Sequence, residues 1–124
     1  MTTIQEYINK KDKNIKSIYI DDDMSWLTAV DELDLSEFKQ AEKIFIDTAG
    51  RPTPFKKINL KGCQELKELI LTNNGLTDLN FLTEIPHPEK LTELSISHRI
   101  KNLDLTIFER FISLEKLSVK DDSS

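Results

Sequence analysis

An apolar pattern recurs five times along this chain, and nothing else in the sequence restricts its fold as strongly. The pattern is L-x-x-L-x-L, with Ile, Val or one Ala standing for leucine. Its copies are Ile15/Ile18/Ile20, Ala41/Ile44/Ile46, Leu66/Leu69/Leu71, Leu91/Leu94/Ile96 and Leu114/Leu117/Val119. Their starts lie 26, 25, 25 and 23 residues apart. The last two apolar residues of each copy are two apart, the period of an extended strand with one buried face. A unit of this length cannot bury that face alone. Regular recurrence therefore implies a stack in which each strand lies parallel to the one before.

The third copy is the cleanest, running Leu66-Lys-Glu-Leu69-Ile-Leu71-Thr-Asn-Asn74-Gly75-Leu76-Thr-Asp-Leu79. A carboxamide at Asn74 carries both donors and acceptors, and so suits backbone groups left over where a strand turns inward. The equivalent slots hold Asp23, Ala49, Arg99 (or His98, since the fourth copy is one residue short) and Asp122, so irregular turns are expected outside the third copy. A second set of apolar pairs, Leu33-Asp-Leu35, Ile58-Asn-Leu60 and Leu103-Asp-Leu105, reads as short extended segments of a return limb. Phe38, Cys63, Phe108 and Phe111 follow at spacings that point inward, which makes Cys63 a small buried hydrophobe. Residues 3–10 read as an amphipathic helix. Thr2 or Thr3 caps it, Ile4, Tyr7 and Ile8 form its stripe, and Lys10, Lys11 and Lys13 favour its C-terminal end. This helix is placed to cover the open apolar end of the stack.

Charge narrows the choice of partner. Residues 1–50 hold six Lys/Arg against eleven Asp/Glu, and residues 51–124 hold eleven of each, so the net charge of −5 belongs to the N-terminal part. Nucleic acid and anionic membrane both need a positive surface and are not expected partners. A protein with a basic segment fits better. The first residues carry no apolar run of a signal peptide, there is no apolar stretch of membrane-spanning length, and Cys63 is the only cysteine. A cytoplasmic location is the expectation.

Catalytic and metal-binding patterns are not found, and neither an enzyme, a metal site nor a cofactor is expected. His87 and His98 are too far apart in sequence for a helical ligand pair. Asp21-Asp22-Asp23 falls at the end of the first strand and in its turn, where solvated acids are ordinary. Gly50, Gly62 and Gly75 form no phosphate-cradling run, and no nucleophile elbow appears.

The residues between the strand leucines face away from the core and stack into columns. The central column reads Tyr19, Phe45, Ile70, Ser95, Ser118. Before it runs Ser17, Lys43, Glu68, Glu93, Lys116, and after it Asp21, Asp47, Thr72, Ser97, Lys120. Tyr19, Phe45 and Ile70 would make one bulky stripe on a wetted face, flanked by the acids Asp21 and Asp47. These five are the candidate partner-binding residues. Strand propensity alone would also select Tyr, Phe and Ile at such positions.

The segments Leu33-Asp-Leu-Ser-Glu-Phe38, Leu66-Lys-Glu-Leu-Ile-Leu-Thr-Asn-Asn74, Pro88-Glu-Lys-Leu-Thr-Glu-Leu-Ser-Ile96 and Phe111-Ile-Ser-Leu-Glu-Lys-Leu117 resemble leucine-rich-repeat proteins. With the opening Gln5-Glu-Tyr-Ile8, the chain is similar more narrowly to the large leucine-rich-repeat family expanded in arbuscular mycorrhizal fungi. The loops at 23–32 and 49–57 are longer than that family's pattern. The resemblance implies an α/β leucine-rich-repeat solenoid over 1–124, with a parallel concave β-sheet, an N-terminal capping helix and a mostly irregular or extended convex side. It also implies a non-enzymatic protein-interaction scaffold. The alternatives are a structural, self-associating repeat protein joined through its C-terminal edge, or a fragment of a larger receptor-like protein.

Overall fold

An apolar–x–apolar segment cannot satisfy its own backbone hydrogen-bonding groups, so it must pair. In the computed structural model, which describes residues 2–21, 27–47 and 55–121, the recurring segments pair with one another. Strands β1 (Ser17–Ile20), β3 (Lys43–Asp47), β5 (Glu68–Leu76), β6 (Glu93–His98) and β7 (Lys116–Asp121) form a five-stranded sheet in the order β1-β3-β5-β6-β7. Every adjacent pair in it is parallel. The short strands β2 (Glu32–Asp34) and β4 (Lys57–Asn59) form a second, parallel pair. The fold is α/β, with a parallel sheet and little helix.

Register follows the sequence pattern. Ile18, Ile44, Leu69, Leu94 and Leu117 are successive partners, and so are Ile20, Ile46, Leu71, Ile96 and Val119. The first four of each row are buried and join Leu33, Leu35, Ile58 and Leu60 of the opposite limb in one core. The start of each strand is tied to the preceding unit in the same way. The carbonyl of Lys16 accepts from the N–H groups of Glu42 and Lys43, that of Glu42 from Lys67 and Glu68, that of Lys67 from Thr92 and Glu93, and that of Thr92 from Glu115 and Lys116. A shared turn leads into these junctions. Phe38, Cys63 and Phe111 each donate their N–H to the carbonyl three residues earlier, on Leu35, Leu60 and Phe108. All six side chains are buried. Gly62 is required by close approach, since a Cβ there would lie 1.7 Å from the Ser36 carbonyl oxygen.

Helix α1 (Ile4–Asn9) is shorter than the expected span of 3–10 but carries its expected cap. Thr3 Oγ1 accepts from the Glu6 N–H at 3.0 Å, and Glu6 Oε1 accepts from the Thr3 N–H at 3.1 Å. The bond from the Thr3 N–H, helped by the Thr3 side chain, holds the Glu6 carboxyl below its ordinary pKa. Ile4 and Ile8 enter the core, and Lys13 Nζ donates to the Asn9 carbonyl at the helix end. Gln5 acts as a surrogate strand for β2. Its Nε2 donates to the Asp34 carbonyl, and its Oε1 accepts from the Asp34 N–H.

Two expectations are corrected. Leu103-Asp-Leu105 does not form a third extended pair. Leu105 opens a 3-10 turn (Leu105–Phe108) and is 63% exposed. Asp104 Oδ1 accepts from both the backbone N–H and the hydroxyl of Thr106, which turns the chain. The segment that would have paired with it is itself a 3-10 turn, Asn80–Glu84, so no strand edge is offered. Ser97, expected on the outward face, is buried. The regular register ends within β5, which passes from Leu71 opposite Ile96 to Leu76 opposite His98, five residues against two. Asp22, Asp23, Ala49, Gly50 and Asp122, with the loop segments 23–26 and 49–54, lie outside the described residues, as does the side chain of Asn74.

Candidate functional site

Side chains alternate across a strand, so burying Ile18 and Ile20 forces Tyr19 to the other face, and the same holds for Phe45 between Ile44 and Ile46. The parallel register then sets Tyr19 beside Phe45, Phe45 beside Ile70, Ile70 beside Ser95, and Ser95 beside Ser118. The Tyr19 and Phe45 rings stack with centroids 4.7 Å apart and planes 6° from parallel. That distance matches the ~4.8 Å spacing of neighbouring strands. The strand spacing thus holds the two rings in a near-parallel stack.

Tyr19 is 53% exposed, while Phe45 and Ile70 are half-buried by their neighbours. The three form a graded step across β1, β3 and β5, with Tyr19 at the rim. Asp47 ends β3 opposite Thr72, and Asp21 lies one residue past β1; both remain partly exposed. The five candidate residues therefore share one corner of the sheet. Beyond Ile70 the column shrinks to Ser95 and Ser118, so the bulky surface ends at β5.

The remaining reactive groups are placed elsewhere. Cys63 is fully buried and its Sγ donates to the Leu35 carbonyl at 3.4 Å. Burial, with a smaller contribution from the Asp34 charge, pushes its thiol up to about 12. It is a core side chain and a poor nucleophile. His98 is buried, and its Nδ1 accepts the Ile100 N–H at 3.0 Å, which leaves the other ring nitrogen to carry the proton of the neutral form. His87 pairs on the surface with Glu89 at 3.1 Å. Among the described residues no three His, Cys, Asp or Glu side chains converge in a metal-binding arrangement, and no helix is long and apolar enough to cross a membrane.

A second surface feature lies at the C-terminal edge of the sheet. Leu103, Leu105, Phe108, Leu117 and Val119 line a groove of about 570 Å3 at the β7 end of the sheet. Leu117 and Val119 signalled it by coming last in their rows. Leu103 and Leu105 did not, because an alternating pair reads the same whether it pairs or turns.

No protein-family model and no curated protein matches this chain.

Proposed function

We propose that this protein is a leucine-rich-repeat scaffold, a single solenoid domain capped by α1, that binds another protein on the concave face of its sheet. The reading assigns it no catalytic residue and no cofactor. The observation that carries it is the Tyr19–Phe45 stack continued by Ile70, an aromatic and apolar step on the face turned away from the core. Aromatic side chains held rigidly in this way make efficient binding anchors, because little side-chain entropy remains to be lost. Asp21 and Asp47 beside the step favour a partner carrying Lys or Arg. A reducing compartment such as the cytoplasm suits a chain whose cysteine is buried as a thiol.

The test is capture of partners by wild-type protein and by Phe45→Ala, identification by mass spectrometry, and titration of the partner found. Phe45→Ala should weaken binding by about 2 kcal/mol, roughly thirtyfold. Loss of the stack should cost about 1 kcal/mol of stability beyond the lost burial of the half-covered ring. Unchanged affinity in a folded Phe45→Ala variant would remove this face from recognition.

A further inference from the structure

Between two consecutive return limbs lies a groove separate from the concave face. Its volume is about 620 Å3. One wall is formed by residues 77–83, on the limb from β5 to β6, and the other by residues 100–107, on the limb from β6 to β7. Each wall therefore lies between two paired strands of the sheet. Ile100 and Leu103 separate this groove from the one beside β7. With buried Leu79 and half-buried Ile107 they supply its apolar surface. Asp78 stands on one wall and Asp104 on the other. The rest of the lining, Thr77, Asn80, Thr83 and Thr106, is uncharged and exposed.

Local turn structure accounts for only one oxygen of each aspartate. Asp78 Oδ1 accepts from the Asn80 N–H at 2.8 Å, and Asp104 Oδ1 accepts from the N–H and the hydroxyl of Thr106. Asn59 makes the same turn, its Oδ1 accepting from the Lys61 N–H at 3.0 Å, so the turn itself requires no charge. Among the described residues no lysine or arginine forms a salt bridge with Asp78 or Asp104. A smaller cleft adjoins the groove at Asp78 and is lined also by Glu32, Lys57 and Glu84. Lys61 pairs with Glu84 at 2.9 Å. Arg99 and Lys101 flank Ile100 in sequence but do not line the groove. Acids thus outnumber bases along this surface. An apolar floor between two carboxylates matches arginine, whose methylene stem lies on apolar surface while its guanidinium meets a carboxylate. The exposed rim encloses too little of a free small molecule, since such ligands are buried over most of their surface. A side chain carried on a partner's backbone needs less enclosure.

We propose that this groove binds an extended segment of a partner protein with the pattern arginine–any–apolar–any–arginine. Alternate side chains share one face of such a segment, so the apolar one lies on the floor and an arginine meets each aspartate. The groove is separate from the Tyr19 step, and the inference stands whether or not the concave face binds. The test uses fluorescein-labelled Ser-Arg-Thr-Leu-Thr-Arg-Ser as probe, followed by anisotropy. Ser-Glu-Thr-Leu-Thr-Glu-Ser reverses its charge, and Ser-Arg-Thr-Ser-Thr-Arg-Ser removes its apolar residue. The probe should saturate, slow amide exchange in residues 77–83 and 100–107, and bind at least about fivefold more tightly than either control. Combining Asp78→Asn with Asp104→Asn should weaken it by at least about fivefold, because asparagine keeps the turn and removes the charge. Asp34→Asn makes the same change in a turn outside the groove, where Asp34 Oδ1 accepts from the Ser36 N–H, and should leave binding unchanged. Equal binding of the probe and either control, unchanged affinity in the double variant, or an equal loss in Asp34→Asn would each overturn the proposal. So would exchange protection confined to other residues, or no saturation below millimolar probe. Melting temperature checks that the double variant folds; if it does not, the exchange map and the two control peptides decide on wild-type protein.

Discussion

Leu69 and Leu117 occupy equivalent positions on β5 and β7, one on each side of Leu94, so truncating each to alanine removes the same three carbons from different surroundings. Leu69 has no exposed surface and sits between Ile44 and Leu94 in the buried row. Loss of three fully buried carbons costs about 2.4 kcal/mol in transfer free energy. The cavity left in a row that cannot collapse raises the expected cost of Leu69→Ala to about 3–4 kcal/mol. Leu117 is half exposed. Its truncation forfeits about half the transfer term, about 1.2 kcal/mol, and opens no closed cavity because the groove already adjoins it. The two variants should therefore differ by about 2 kcal/mol in urea or guanidinium unfolding followed by circular dichroism, at a dilution where sedimentation shows a monomer. Equal losses at the two sites would mean that Leu117 is covered in solution, and the open-groove reasoning would fail. A loss below about 0.5 kcal/mol at Leu69 would mean that the strand register itself is wrong.

Gly62→Ala should destabilise by about 3 kcal/mol or more, because a methyl 1.7 Å from the Ser36 carbonyl oxygen forces two turns apart. A denaturation midpoint equal to wild type would refute that close approach. Cys63 should react with an aromatic disulfide reagent at pH 8 only as fast as the protein unfolds, since its thiol is buried and held at about 12. An unfolded thiol ionises near ~8.5, so the stability tied to the protonated form is complete below that pH and declines as pH rises toward about 12. Cys63→Ala should abolish that alkaline decline, and a variant that loses stability as steeply would assign it to other groups.

Two periodicities made most of this fold legible without coordinates. The alternation inside each motif states which side chains face the core, and a one-residue slip would expose every one of them, so register is strongly specified. The near-constant spacing between motifs states which strands are neighbours. Together they place Tyr19, Phe45 and Ile70 in one column, and the ladder pairs those residues. Leu33 and Ile58 were legible for the same reason, and they pair in β2 and β4.

Tertiary structure decided what depends on a neighbour. Leu103-Asp-Leu105 has the same local pattern as Leu33-Asp-Leu35, but it adjoins a 3-10 turn where β2 adjoins β4, and its Asp104 is bonded to Thr106. Gly62 is an ordinary turn residue in the sequence, and only the approach of Ser36, 26 positions away, makes it obligatory. The spacing of Tyr19 and Phe45 predicts adjacency, whereas their parallel stack follows from the distance between strands. Pattern along the chain determines the face and row of each residue through the geometry of the extended backbone. Exposure, turn or strand, and groove or core depend on what the adjoining unit presents, which no local stretch of sequence encodes.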